Sequence, residues 1–438
     1  MFDPVNEPEF RLDVAGLSDA FEVLAFTGRE AISEPFVFDV DLLINDPALD
    51  LASLLYRPAT LHFGLVGNSV HGQLHKLVQR DHGSTIRLCH VRLGPKLACL
   101  AQRFSQRIFS ARSVPQIISQ VLKEHGIVGH DRRFELGGDY PLRDFCTQYR
   151  ESDLQFLQRL CAQERLHYHF EPRARGHCVV FADGQEHFPV GETAVFEGEQ
   201  PSVRRFELRQ CAVSAQQSAQ FQTDLATLRS GQLMPLAEHP VTEWNQLWLL
   251  THVEHQGSQD PLIPYSNQVR AMHWSAPFES GHCAVKPKMH SLQRAWVVNI
   301  DESQPDPSRP VAVQFDWSYE GEGATPSHCW LPLAPQLHAA IGAPLSEGAQ
   351  VVVSFIEGDP DQPLITGVLH LPQPVEEADT KDATSTDRYP PEAVQDWLRS
   401  GEPLLMLCLL PGGGSFNHCE QALCTCRAAM RFGQSGAA

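Results

Sequence analysis

Tyr140-Pro-Leu-Arg-Asp-Phe-Cys-Thr-Gln-Tyr-Arg-Glu-Ser-Asp-Leu-Gln-Phe-Leu-Gln-Arg-Leu-Cys-Ala-Gln-Glu164 sets how the rest of this chain is read. Within it, Ser152-Asp-Leu-Gln155 has the spacing of a capping box, in which two side chains satisfy otherwise orphaned amides at a helix start. Leu154, Leu157, Leu160 and Cys161 follow at helical spacing and predict one apolar face. The box recurs upstream at Ser113-Val-Pro-Gln116, with Pro in the first turn and Ile117, Ile118, Val121 and Leu122 behind it. Gly126 is a natural stop for that helix. Two short capped helices are therefore expected.

Around them the sequence reads as strands. In Pro35–Leu42, Phe36, Phe38, Val40 and Leu42 share one face while Asp39 and Asp41 share the other. Residues 61–65 and 85–93 read as further strands, the second changing phase near Leu88-Cys89 as a bulge, or a strand buried on both faces, would. Leu166–Phe170 and Cys178–Phe181 return to strand after the second helix. Residues 190–285 are looser, with Trp244, Trp248 and several His among polar residues. Beyond 290, Val311, Val313, Phe315 and Trp317 alternate with polar or small residues, then Val351, Val353 and Phe355, then Ile365, Gly367 and Leu369. Short strands between Gly/Pro turns, without helical pattern, predict a small barrel. The fold class is mixed α/β, mainly β.

Composition narrows function. The 438 residues allow about three domains. Lys and Arg number 34 against 53 Asp and Glu, a formal net charge of −19, which disfavours binding to nucleic-acid phosphates. The longest apolar run near either end, Leu404–Leu410, falls far short of the ~20 residues that span a bilayer. The acidic N-terminus lacks a signal-peptide layout, so a cytoplasmic start is expected. Most of the twelve Cys are scattered, as buried reduced thiols would be.

Candidate chemistry is sparse. His167 and His169 are two apart on a strand and share a face, a spacing that holds zinc when a third ligand is near, but packing is the plainer reading. His252 and His255 lack the His-Glu-x-x-His spacing of zinc proteases. Asp359 and Asp361, spaced as for a hard cation, sit beside Pro360 and Pro363, which favours a tight turn. Cys408, His418, Cys419, Cys424 and Cys426 form the strongest metal-like group, although they lack Cys-x2-Cys knuckles. No nucleophile elbow or phosphate-cradling loop occurs, so neither catalysis nor a cofactor is expected.

The Tyr140–Glu164 block resembles the signature of VgrG, the type VI secretion spike family. Val70-His-Gly-Gln-Leu, Arg92-Leu-Gly-Pro-Lys-Leu, Arg107-Ile-Phe-Ser and Ser113-Val-Pro-Gln-Ile-Ile fit that family in the same order. Val311-Ala-Val-Gln-Phe-Asp-Trp and the run from Val351 to Gly367 are similar to its barrel signature. The resemblance implies β-barrel modules like a phage tail hub over 8–285 and an OB-fold barrel over 290–371. A linker and irregular tail over 372–438 would follow. It further implies a homotrimer on the hexameric tail-tube ring, exported with the apparatus and carrying effectors, adaptors or a PAAR-type tip protein. A phage baseplate hub is the alternative within the same machinery; a metal-binding enzyme built on the C-terminal Cys/His set is the other. Family members usually continue into a repetitive β-helix needle, and no fixed-period repeat follows Pro372. The residues expected to matter are packing ones: Leu154, Leu157 and Leu160 in the hub helix, Val313, Phe315 and Phe355 in the barrel.

Overall fold

Strict alternation over long strands lets a sheet close on itself, because one face can be wholly apolar while the other stays wet. The computed structural model of the chain begins this way. It describes residues 10–64, 68–80, 87–173, 176–197, 202–210, 217–260, 265–278, 285–300, 306–319, 328–340 and 345–370. The expected tail and its Cys408, His418, Cys419, Cys424 and Cys426 lie outside the described residues. The chain divides into two units between Pro287 and Lys288.

In the first unit, β1 (Arg11–Val14), β2 (Phe21–Ala31), β3 (Glu34–Ile44), β4 (Pro58–His62), β5 (Ser69–Arg80) and β6 (Arg87–Gly94) pair antiparallel in the order β1-β4-β5-β6-β3-β2. β1 then returns to β2 through Arg11↔Glu22 and Leu12↔Phe21, closing a six-stranded ring without a free edge. In β3 the side chains Phe36, Phe38, Val40, Leu42 and Ile44 point inward, as the alternation predicts. The bulge expected near Leu88-Cys89 is elsewhere. β3 and β6 pair without interruption, Cys89, Val91 and Leu93 face the core, and the extra residue is His75 of β5.

A small α/β insert follows: β7 (Phe104–Phe109), α1 (Val114–Glu124), β8 (Arg132–Glu135), β9 (Cys146–Ser152), α2 (Asp153–Gln163), β10 (His167–Arg173) and β11 (Gly176–Ala182). Both capping boxes form: Gln116 Oε1 accepts from the Ser113 amide, and Gln155 Oε1 from that of Ser152, each at 2.9 Å. Gly126, at φ +67°, stops α1 where the sequence predicts. The facing sides of α1 and α2 bury Ile117, Ile118, Val121, Leu122, Phe156, Leu157 and Leu160.

The loosely patterned region forms a second barrel-like module. β12 (Ala194–Val195), β13 (Val203–Gln210), β14 (Gln217–Thr223), β15 (Leu233–Ala237), β16 (Leu247–Ser258) and β17 (Ser266–His273) pair in the order β13-β14-β17-β16-β15-β12. The Ser202 amide donates to Val195 O at 2.9 Å, drawing the two ends of that order together. Phe206, Phe221, Met234, Trp248, Leu250 and Val269 fill its interior.

The second unit is a five-stranded antiparallel sheet of β18 (Gln293–Val297), β19 (Val311–Phe315), β20 (His328–Leu331), β21 (Gln350–Phe355) and β22 (Pro363–His370), in the order β20-β19-β18-β21-β22. A short helix, α3 (Pro335–Ala340), precedes β21. Val313, Phe315, Val351, Val353 and Ile365 are fully buried, and Phe355 stacks on Phe315 with centroids 6.4 Å apart. Leu369 departs from the expected stripe and is 48% exposed. Thr366 is an extra residue between Gly367↔Val352 and Ile365↔Val353, so the parity of β22 flips and Val368, not Leu369, pairs with buried Val351.

Candidate functional site

The first barrel, the insert and the second barrel meet at the two-residue tip of the β2–β3 hairpin, Ile32-Ser33. The Ile32 amide donates to Thr251 O of β16 at 3.1 Å, and the Ser33 amide donates to Tyr168 O of β10 at 2.8 Å. Gln158 of α2 donates to Ser33 O at 3.1 Å. Ser33 holds φ +64°, so the turn is strained unless these bonds keep it.

From that tip β2 runs antiparallel to β16, Ala31↔His252 through Ala25↔Ser258, and fuses the two barrels into one sheet. Beneath the seam lies a buried ionic cluster. Glu30 Oε1 is 3.6 Å from Arg229 Nε and 3.3 Å from His255 Nε2, and the Ser230 amide donates to Oε2 at 3.3 Å. His255 Nδ1 is 2.8 Å from the Tyr265 hydroxyl, which accepts from Asn267 Nδ2. The Arg229 guanidinium also covers the Phe63 ring, 5.4 Å from its centroid. Burial pushes the Glu30 carboxyl up, but Arg229, His255 and the Ser230 amide together bring it below its ordinary value. A depressed carboxyl adds stability above the unfolded pKa that is lost as pH falls through the folded one. Glu30→Gln should therefore lower the melting temperature at pH 7 and narrow the gap from wild type in strong acid, checked by thermal scans at both pH values.

Over the cluster the sheet presents a polar face. Directly paired residues form two rows, Arg92–Asp39–Thr27–Gln256–Ser266 and Val37–Arg29–Glu254–Gln268–Gln222, crossing from one barrel to the other. They line a groove of about 490 Å³. Asp39 takes two bonds from Arg92, at 2.8 and 3.1 Å. Such a surface suits wet contact or passage and offers no paired nucleophile and base.

The quoted block forms the second candidate region by bonding both within itself and to the segments around it. Tyr140 donates to Asp183 at 2.7 Å, beside the Gly137 and Gly138 amides. Asp153, wholly buried at the first position of α2, gathers Arg103 Nε at 2.5 Å, His125 Nε2 at 2.7 Å, Gln148 Nε2 at 2.8 Å and Arg107 Nη2 at 3.2 Å. A carboxylate there also meets the positive end of the helix dipole. Burial raises the Asp153 pKa, while Gln148, His125, Arg107 and Arg103 lower it further, leaving it below its ordinary value. Arg159, 1% exposed, grips Glu151 with two bonds of 3.0 and 2.6 Å and Thr147 O with a third.

Of the residues expected to pack, Leu157 and Leu160 are fully buried, while Leu154 is half-buried at the edge of the same core. His167 and His169 lie buried against Phe188, and no three His, Cys, Asp or Glu gather as a metal site among the described residues. Asp359 accepts from the Asp361 amide at 2.9 Å and from Gln362 at 3.2 Å, which is a turn closing on itself. Asp153 is visible in sequence as the acid after a cap. Glu30 and Arg229 carry no local signal, because they meet only through the fold.

Gly231 packs the second barrel against the insert. At φ +77°, its added Cβ would stand 2.5 Å from His169 Cβ. Gly231→Ala should cost about 1–3 kcal/mol through strain and overpacking together. Gly129→Ala, at φ +58° with open space around it, should cost only the backbone part; urea melts of both variants check the order.

A family model of the phage tail baseplate hub (GPD) matches residues 29–219. Two type VI secretion system spike proteins of Pseudomonas aeruginosa, VgrG5 and VgrG4b, are each 34% identical to this chain, over 89% and 86% of its length. The chain spans 61% and 58% of theirs, so it covers about three-fifths of these relatives. The actin cross-linking toxin VgrG1 of Vibrio cholerae is 26% identical over 82% of this chain and 41% of its own. Among solved structures, an E. coli type VI secretion component with structural similarity to the phage T4 tail proteins gp27 and gp5 superposes with a TM-score of 0.70. It is 24% identical, over 82% of this chain and 99% of that one. VgrG in a Francisella PdpA–VgrG complex gives 0.55 at 8% identity, over 87% and 80%.

Proposed function

We propose, from the kinship of this chain with the VgrG spike proteins of type VI secretion and from the baseplate-hub match over residues 29–219, that three copies form a spike hub. The hub sits on the hexameric tail-tube ring and carries effectors, adaptors or a PAAR-type tip protein into a target cell. It stays in the cytoplasm until assembly and leaves with the apparatus. Domain limits of 8–285, 290–371 and 372–438 go with this reading, the five-stranded sheet serving as the OB-fold module. The hub does no chemistry of its own.

One observation carries the proposal: a single chain holds two six-stranded modules fused through β2 and β16. Three such chains present six modules, one for each subunit of a six-membered ring, so closed threefold symmetry converts to sixfold contact. The buried seam cluster supports it, since the two barrels must hold a fixed spacing for that match. The PdpA–VgrG complex supports a partner on the hub. The match to the actin cross-linking toxin covers under half of that protein, and its activity is not carried over to these residues.

Tagged chain mixed with the tube-ring protein should retain it at three chains to six. No retention, together with undiminished export of tube protein from cells lacking this chain, would contradict the reading. The phage-hub alternative rests on the GPD match; neighbouring genes for sheath, tube and ATPase, as opposed to capsid and terminase, separate the two.

A further inference from the structure

The insert meets the second barrel at two buried imidazoles, of which His167 is lodged between the Phe188 and Phe278 rings. His167 and His169 project from one face of β10, their rings 6.4 Å apart, and are 5% and 1% exposed. Phe188 stacks on His167 at 4.6 Å and lies 5.1 Å from His169, while Phe278 meets the His167 ring edge-on at 6.0 Å. Gly231 of the second barrel presses on His169 Cβ. His167 Nε2 is buried without a hydrogen-bond partner among the described residues, whereas His169 Nε2 has the Glu171 carboxylate 3.7 Å away. Between the two histidines, Tyr168 O accepts the Ser33 amide that fixes the three-way junction.

We propose that His167 is an acid-released latch, docking the insert against the second barrel when neutral and freeing it when protonated. A cation at His167, buried with its Nε2 unpartnered, would have little to offset its desolvation.

The charged groups nearby do not supply that offset to His167. Asp183 already accepts from Gly137, Gly138 and Tyr140. Glu171 Oε1 is 3.7 Å from His169 Nε2 and is bonded to Arg133 at 2.9 and 2.6 Å; His169 first and then Arg133 bring its carboxyl down to about 2, so this carboxylate serves His169 and Arg133, with Glu135 on the far side of that Arg. His187 adds a further imidazole and is itself 3.5 Å from Glu186. From the second barrel the contacts are Gly231 and, behind Phe188, the apolar Leu233, Leu249 and Met272. Burial first, then His169 and His187, push His167 down to about 4. A histidine with a depressed folded pKa keeps its full contribution above the unfolded value of about 6.5 and loses it as pH falls toward 4. Over that window the released form should gain up to about 300-fold on the docked one.

Hydrogen exchange of the full chain, read by mass spectrometry and corrected for intrinsic rates, tests this. Protection of Tyr168 and Ser33 should fall between pH 6.5 and 4 while β5 and β6 keep theirs. In His167→Gln/His169→Gln that loss should be absent, whereas His130→Gln, at an exposed position, should behave as wild type. Should the double variant fail to fold, C2-proton exchange of His167 in the wild type reads its titration directly. A His167 midpoint at 6.5 or above, or protection at Tyr168 and Ser33 unchanged down to pH 4, would overturn the latch. Equal loss in wild type and double variant would overturn it too.

Discussion

Leu157→Asp should leave no soluble, folded protein. Leu157 is fully buried between the two helices of the insert, in a core with Ile117, Ile118, Phe156 and Leu160. Truncating such a leucine costs about 2–5 kcal/mol by itself. A carboxylate in the same place adds a desolvation penalty of several kcal/mol, because the buried Arg159 of this helix is already engaged by Glu151. Together these match the whole margin of about 5–15 kcal/mol that a domain has. Leu157→Met keeps volume and polarity and should cost less than about 1.5 kcal/mol. Size-exclusion with light scattering decides: an Asp variant eluting as wild type would refute the placement of this helix.

Arg159→Met is the second large effect, and its reason differs. Arg159 is a cation at 1% exposure, satisfied by Glu151 and Thr147 O, with its guanidinium 5.2 Å from the Phe156 centroid. Removing one partner of a buried pair strands the other and costs about 3–5 kcal/mol. Removing both should cost less. Arg159→Met/Glu151→Leu is therefore expected to recover much of the single-variant loss, a coupling that urea denaturation of the four proteins measures as a double-mutant cycle. Strict additivity would mean that the pair does not interact in solution.

These two positions also mark what sequence could and could not reveal. Ser152-x-x-Gln155 and the leucines behind it locate α2 and its inner face, since capping and helical period are local properties. The face is wider than that stripe: Asp153, Phe156 and Arg159 are buried as well, because the helix packs on α1, β9 and the segment before β7 at once. An Arg in a helix reads as solvent-facing until its Glu is placed. The second barrel was hardest to see. Its strands carry Gln, His and Ser on the polar face, and β16 breaks register between Leu250 and His252, which erases the alternation. The closed ring of β1–β6, by contrast, is announced by the clean period of β3. The seam cluster could not be foreseen, since Glu30 and Arg229 come together only when both barrels exist.

The two modules are joined by a shared sheet rather than a linker, so copies of the chain bring them in at fixed spacing. Cryo-electron microscopy of the purified full chain tests this most directly. The account predicts threefold particles of three chains, with six barrel modules arranged in a ring around the axis. Monomers or twofold dimers at micromolar concentration, with the polar seam face turned away from any ring, would contradict it.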